Sequence, residues 1–141
     1  MKHSNIFIVI ASILILFTII GLTISVYNIP KTANEVFEYD LLLETIQEIK
    51  IEKYSNRTET IIYNNKIALL LPPIRNGIYY QRPTLVDIFR NGNFSYCITI
   101  IYLSGQQESF NVYANGYAIN LNGKKYITNN MLNDAIAYCF N

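Results

Sequence analysis

The chain has 141 residues, with 11 Lys and Arg against 10 Asp and Glu, a single His and two Cys. A net charge of +1 with no basic stripe offers nothing to a nucleic-acid backbone, and one His with two widely spaced Cys cannot assemble a zinc site. His3 lies at the extreme N-terminus, so a His-activated nucleophile is excluded from everything that follows it.

The first element is the most legible. Ser4 to Pro30 carries no charged side chain, and fourteen of the nineteen residues from Ile6 to Ile24 are Ile, Leu, Val or Phe. At about −0.3 to −0.6 kcal/mol each, those fourteen favour membrane insertion by roughly −4 to −8 kcal/mol. The run is longer than a secretory core of ~7–15 residues, and Thr23 and Ser25 make a poor small-x-small site. An uncleaved anchor is therefore expected over residues 1–30, in contact with lipid through residues 6–28, ahead of a single domain over 31–141. Lys2 and His3 precede the span, while Lys31 is followed by Glu35, Glu38, Asp40 and Glu44. The positive-inside rule then puts the N-terminus inside and the domain outside.

Thr32-Ala33-Asn34-Glu35 is a capping box, and Val36, Tyr39, Leu43 and Ile46 follow at heptad spacing, which predicts an amphipathic helix over 33–47. Alternation from Glu48 predicts a strand. Thr60–Tyr63 and Lys66–Leu71 flank Asn64-Asn65 as a hairpin would, closed by Pro72-Pro73, with a further turn at Asn76-Gly77. Thr84-Leu85-Val86-Asp87 is a second capping box, opening a short helix that ends near Gly92. Strands are then expected at Phe94–Leu103, Ser109–Ala114, Tyr117–Leu121 and Lys124–Thr128. They are joined by turns at Gly105-Gln106, Asn115-Gly116 and Asn122-Gly123. A last helix from about Asn130 to Phe140 places Leu132, Ile136 and Cys139 on one stripe. The fold class is α+β: one transmembrane helix, then an antiparallel meander packed against helices.

Alternation within Phe94–Leu103 sets Cys97 with Thr99, Ile101 and Leu103, which is expected to be the core face. Cys97 and Cys139 would then meet between the sheet and the last helix. A disulfide there would close a loop of about 43 residues and contribute roughly 4 kcal/mol; two buried thiols are the alternative. No Gly-rich phosphate loop is present. The acidic residues Glu35, Glu38, Asp87, Glu108 and Asp134 are expected to be surface or cap positions. No enzyme, cofactor or small-molecule substrate is expected. Tyrosine is in excess, and Tyr79-Tyr80, Tyr96, Tyr102, Tyr113 and Tyr117 are either interface anchors or cross-strand packing. The segment from Ile74 to Pro83, with Arg75, Tyr79, Tyr80 and Arg82, is the expected partner-binding loop because it mixes aromatic and Arg side chains outside any clear pattern. Asn56-Arg57-Thr58 and Asn93-Phe94-Ser95 are glycosylation patterns at the number expected by chance in a chain this rich in Asn.

The anchor Asn5-Ile6-Phe7-Ile8-Val9-Ile10-Ala11, Phe37-Glu38-Tyr39, Tyr96-Cys97-Ile98 and Cys139-Phe140 together resemble the small N-anchored subunits of the poxvirus entry–fusion complex. Leu121-Asn122-Gly123-Lys124-Lys125 is similar to a turn in another such subunit. The resemblance implies a non-enzymatic protein of the virion membrane that binds sibling membrane-anchored subunits and is required for fusion of viral and host membranes. It also implies a Cys97–Cys139 bond made by a virus-encoded pathway; the closest subunit type has a second cysteine pair that this chain lacks. Two other classes fit the layout: a membrane-anchored receptor-binding or immune-evasion protein, and a pilin-like filament subunit. The pilin reading lacks the processing Gly and the acidic residue within the apolar run.

Overall fold

The computed structural model describes residues 2–82 and 93–140, with side chains from Ile6 onward apart from residue 26. The second predicted capping box and its helix, 84–92, lie outside the described residues.

The chain opens with α1 (Lys2–Tyr27), and a two-residue strand β1 (Pro30–Lys31) leads into a single helical turn, α2 (Ala33–Val36). A 3₁₀ turn at Leu43–Thr45 precedes β2 (Ile46–Lys53), β3 (Thr58–Ile62) and α3 (Asn64–Arg75). Then come β4 (Tyr79–Arg82), β5 (Phe94–Tyr102), β6 (Gln107–Tyr113), β7 (Ala118–Leu121), β8 (Lys124–Thr128) and α4 (Asn133–Cys139). The strands form one eight-stranded antiparallel sheet in the order β1-β4-β8-β7-β6-β5-β2-β3. α+β architecture is thus as expected, and the meander from β5 to β8 follows the predicted strands closely.

One sheet face carries the core. Tyr96, Ile98, Ile100 and Tyr102 of β5 are buried in alternation, beside Phe110 and Val112 of β6 and Ile49 and Ile51 of β2. A bulge between Ile46 and Glu48 adds one residue to β2, which lets Ile46 join Ile49 and Ile51 in the core despite its odd spacing. Ile67, Leu70, Leu71 and Ile74 of α3, together with Leu132, Ile136 and Cys139 at α4, close that face. Lys66 Nζ donates to the Cys139 carbonyl at 3.0 Å, capping the end of α4 from α3.

Two predicted elements are corrected. The helix over 33–47 lasts only from Ala33 to Val36, although its capping box forms: the Glu35 carboxylate accepts from the Thr32 N–H at 2.7 Å and its hydroxyl at 2.9 Å. Phe37 turns extended because it and Leu41 must reach the sheet, where the Phe37 ring meets Phe110 edge-on at 5.3 Å. The heptad residue Leu43 is left 43% exposed. Residues 66–71 are helical, not the second arm of a hairpin. Their buried residues recur at i, i+3, i+4 and i+7, and Pro72 and Pro73 sit inside the helix near its end. Their missing N–H groups cost two helical bonds. Full burial of Ile74 and the donation of Asn130 Nδ2 to the Pro73 carbonyl at 2.9 Å hold the last turn in place.

Candidate functional site

Ile6–Ser25 of α1 is long and apolar enough to cross a bilayer, with mean hydropathy 2.9 and, among the described residues, none of it buried in the protein. Three of its four hydroxyls are internally satisfied: Ser12, Thr18 and Thr23 donate to the carbonyls four residues earlier at 2.9, 2.8 and 2.8 Å. That pattern removes the exposed donors that hydrocarbon would penalise. Where α1 ends, Arg82 Nη1 donates to the Tyr27 carbonyl and to Asn28 Oδ1, both at 3.1 Å, and β1 pairs with Tyr79 and Tyr80.

The segment expected to bind a partner is ordered: Ile74 and Arg75 end α3, and Tyr79–Arg82 form β4. Tyr79 is fully buried and its hydroxyl donates to the Ile74 carbonyl at 2.5 Å, so it belongs to the core. Arg82 stacks over Tyr80 at 6.0 Å and secures the end of α1. Of the four residues Arg75, Tyr79, Tyr80 and Arg82, only Arg75 is exposed at the end of α3. The tyrosines of the meander divide in the same way: Tyr96, Tyr102 and Tyr113 are buried, and Tyr117 alone is exposed.

The two cysteines are unjoined and lie on opposite sides of the sheet. The core residue next to Cys97 is Tyr96, whose ring packs 6.0 Å from Phe140 at the end of α4. Strand alternation sends Cys97 to the other face, between Glu52 and Asn111 in register. The expected Cys97–Cys139 pairing assumed that Cys97, Thr99, Ile101 and Leu103 face inward; Tyr96, Ile98, Ile100 and Tyr102 do so instead. Cys139 Sγ contacts the Ala135 carbonyl at 3.3 Å. Burial pushes both thiols up, which disfavours the reactive thiolate.

Chemistry concentrates at a place the sequence did not single out. A cleft of about 310 Å³ opens between the segment from Tyr39 to Thr45 and the β5–β6 hairpin. Tyr39 and Tyr102 form an aromatic corner, ring centres 5.1 Å apart and tilted by 54°. Asp40, Glu44, Ser104 and Gln106 supply the polar lining, and Leu103 and Thr45 complete it. The Leu103 N–H donates to the Thr45 carbonyl at 2.8 Å and tethers the two walls. Behind Tyr102 lies Glu108, only 6% exposed, on the core face of β6 where a surface position was expected. Its Oε1 accepts from the Glu38 N–H at 2.9 Å. Its Oε2 and the Tyr102 hydroxyl are buried and, among the described residues, make no well-formed hydrogen bond, although they bear on each other: the phenol favours the Glu108 carboxylate. Burial raises the Glu108 carboxyl above its usual range, against the backbone N–H groups of Glu38 and Tyr39, which favour the carboxylate. Burial also raises the Tyr102 phenol, with Glu108, Tyr39 and Asp40 adding to the shift. Among the described residues no group of three His, Cys, Asp or Glu could hold a metal ion.

Compared with known proteins, the chain matches no family model, no curated protein and no solved structure.

Proposed function

We propose that this chain is a single-pass membrane protein whose domain docks other proteins without catalysing a reaction. The observation that carries this reading is the contrast between α1 and the rest. The core begins at Ala33 and is built from residues after the apolar run, while among the described residues none of Ile6–Ser25 is buried. Twenty such residues form an exposed apolar surface far larger than soluble proteins tolerate, and a bilayer is the solvent that suits them. In this reading the N-terminus stays inside and the sheet domain is presented outside.

The finer assignment is a subunit of a multiprotein entry–fusion assembly in a virion membrane, with sibling anchored subunits as partners. It is supported by the anchor and the aromatic-flanked Cys97, and it does not draw on a Cys97–Cys139 bond. Alkaline extraction and protease protection of the full chain in membranes test the anchor and its orientation; retention in the pellet, with 31–141 protected from inside, is expected. Cross-linking and pull-down from detergent-solubilised particles test the assembly. Extraction into the soluble fraction would remove the anchor, and recovery as a lone monomer would remove the assembly.

A further inference from the structure

We infer that the cleft between residues 39–45 and the β5–β6 hairpin binds one basic side chain, Lys or Arg, of a partner protein. The inference deepens the docking reading by naming the chemistry of the contact.

Among the described residues the lining carries two carboxylates, Asp40 and Glu44, and no Lys, Arg or His. An anionic or neutral ligand would leave both uncompensated. A third acidic residue, Glu108, stands behind the Tyr102 wall beside the Tyr102 hydroxyl, on which Asp40 also bears.

The walls select among cations. A divalent metal needs several oxygen ligands brought to one point, whereas half of this lining is Tyr39, Tyr102, Leu103 and Thr45. An aromatic corner flanked by carboxylates suits an organic cation, whose charge attracts the ring faces while its carbon stem packs against them. A Lys or Arg side chain combines those two parts, and the cleft has room for one. The site is also prebuilt. The Leu103–Thr45 bond, the donation of Thr45 Oγ1 to the Leu42 carbonyl at 2.8 Å and that of Ser104 Oγ to Gln106 Oε1 at 2.9 Å fix its rim.

The test is a backbone amide NMR titration of the full chain in detergent micelles. The probes are N-acetylarginine methylamide and its neutral isostere, N-acetylcitrulline methylamide. The arginine compound is expected to shift the amides of Thr45, Ser104 and Gln106, and citrulline to bind roughly tenfold more weakly, as loss of two partly exposed ion pairs would give. The double variant Asp40→Asn, Glu44→Gln should reduce arginine binding to the citrulline level, while its spectrum away from the cleft superimposes on that of the parent. Equal binding of the two compounds, shifts centred elsewhere, or no shift at all would overturn the inference. None of these outcomes bears on membrane extraction or pull-down, so the docking reading stands or falls separately.

Discussion

Glu108 sits where strand alternation requires an apolar residue. It shares the core face of β6 with Phe110 and Val112, and the Glu38 amide is its clearest compensation. The cost of burying its charge lifts its carboxyl pKa in the folded protein. A carboxyl whose pKa is raised on folding stabilises the protein fully below its unfolded value, near ~4.3, and loses that contribution as pH climbs through the folded value. The native protein should therefore lose stability between mildly acidic and neutral pH relative to Glu108→Gln, whose amide cannot ionise and can still accept from the Glu38 N–H. Urea unfolding of both proteins across that window checks the sign; parallel curves would show that the Glu108 charge is not buried in solution. The identity of residue 108 was plain in the sequence, but its burial was not. A Glu in a strand of mixed composition reads as solvent-facing unless the parity of the strand is fixed by its neighbours. The same parity decided Cys97. Tyr96, Ile98, Ile100 and Tyr102 are the buried alternate set, but Cys97, Thr99, Ile101 and Leu103 are of comparable hydropathy, so residue types alone did not fix the inward face.

At the scale of elements, the meander was readable because its turns carry their own signatures. Asn122 and Gly123 adopt φ of 51° and 75°, the left-handed pair that an Asn-Gly hairpin turn needs. Elsewhere one set of residues satisfied two patterns. Phe37, Leu41 and Ile46 face the core from an extended segment, yet the neighbouring Val36, Tyr39 and Leu43 keep heptad spacing, and local periodicity cannot rank the two. In α3 the paired prolines mimic a strand stop, and only tertiary burial of Ile74 carries the helix past them. The cleft was invisible for a related reason, since it joins residues 39–45 to a hairpin about sixty positions away. Gly116 shows how a turn and a distant helix become coupled. Its φ is +73°, a Cβ would meet Asn133 Cγ at 2.9 Å, and its carbonyl accepts from the Leu132 N–H at 2.9 Å. The Asn133 side chain has little room to yield because its Nδ2 donates to the Ala114 carbonyl at 2.9 Å. Gly116→Ala should cost about 2–3 kcal/mol. Gly105→Ala, at φ +83° with open space around it, should cost only about 1 kcal/mol for its backbone. Denaturant unfolding of the two variants gives that difference directly, and equal losses would mean that α4 does not seat on the β6–β7 turn.

For the whole molecule the decisive question is what α1 contributes to the fold. The core runs from Ala33 to Cys139, and the Thr32–Glu35 cap lies within the same stretch. Among the described residues, what joins α1 to the sheet is narrow: the two bonds from Arg82 to Tyr27 and Asn28, and the two-residue pairing of β1 with β4. A fragment over 31–141 keeps the core and loses those bonds, along with half of β1. At about 1 kcal/mol for each hydrogen bond lost, the deficit is roughly 2 kcal/mol. For a domain of this size that lowers Tm by about 10 °C while the transition stays cooperative. The fragment should also dissolve in water without detergent, because it sheds the continuous apolar surface of Ile6–Ser25. Thermal unfolding followed by circular dichroism, with sedimentation of both species in detergent-free buffer, separates the possibilities. If α1 were instead the core helix of a soluble protein, the full chain would stay in solution and the fragment would aggregate or unfold without a cooperative transition.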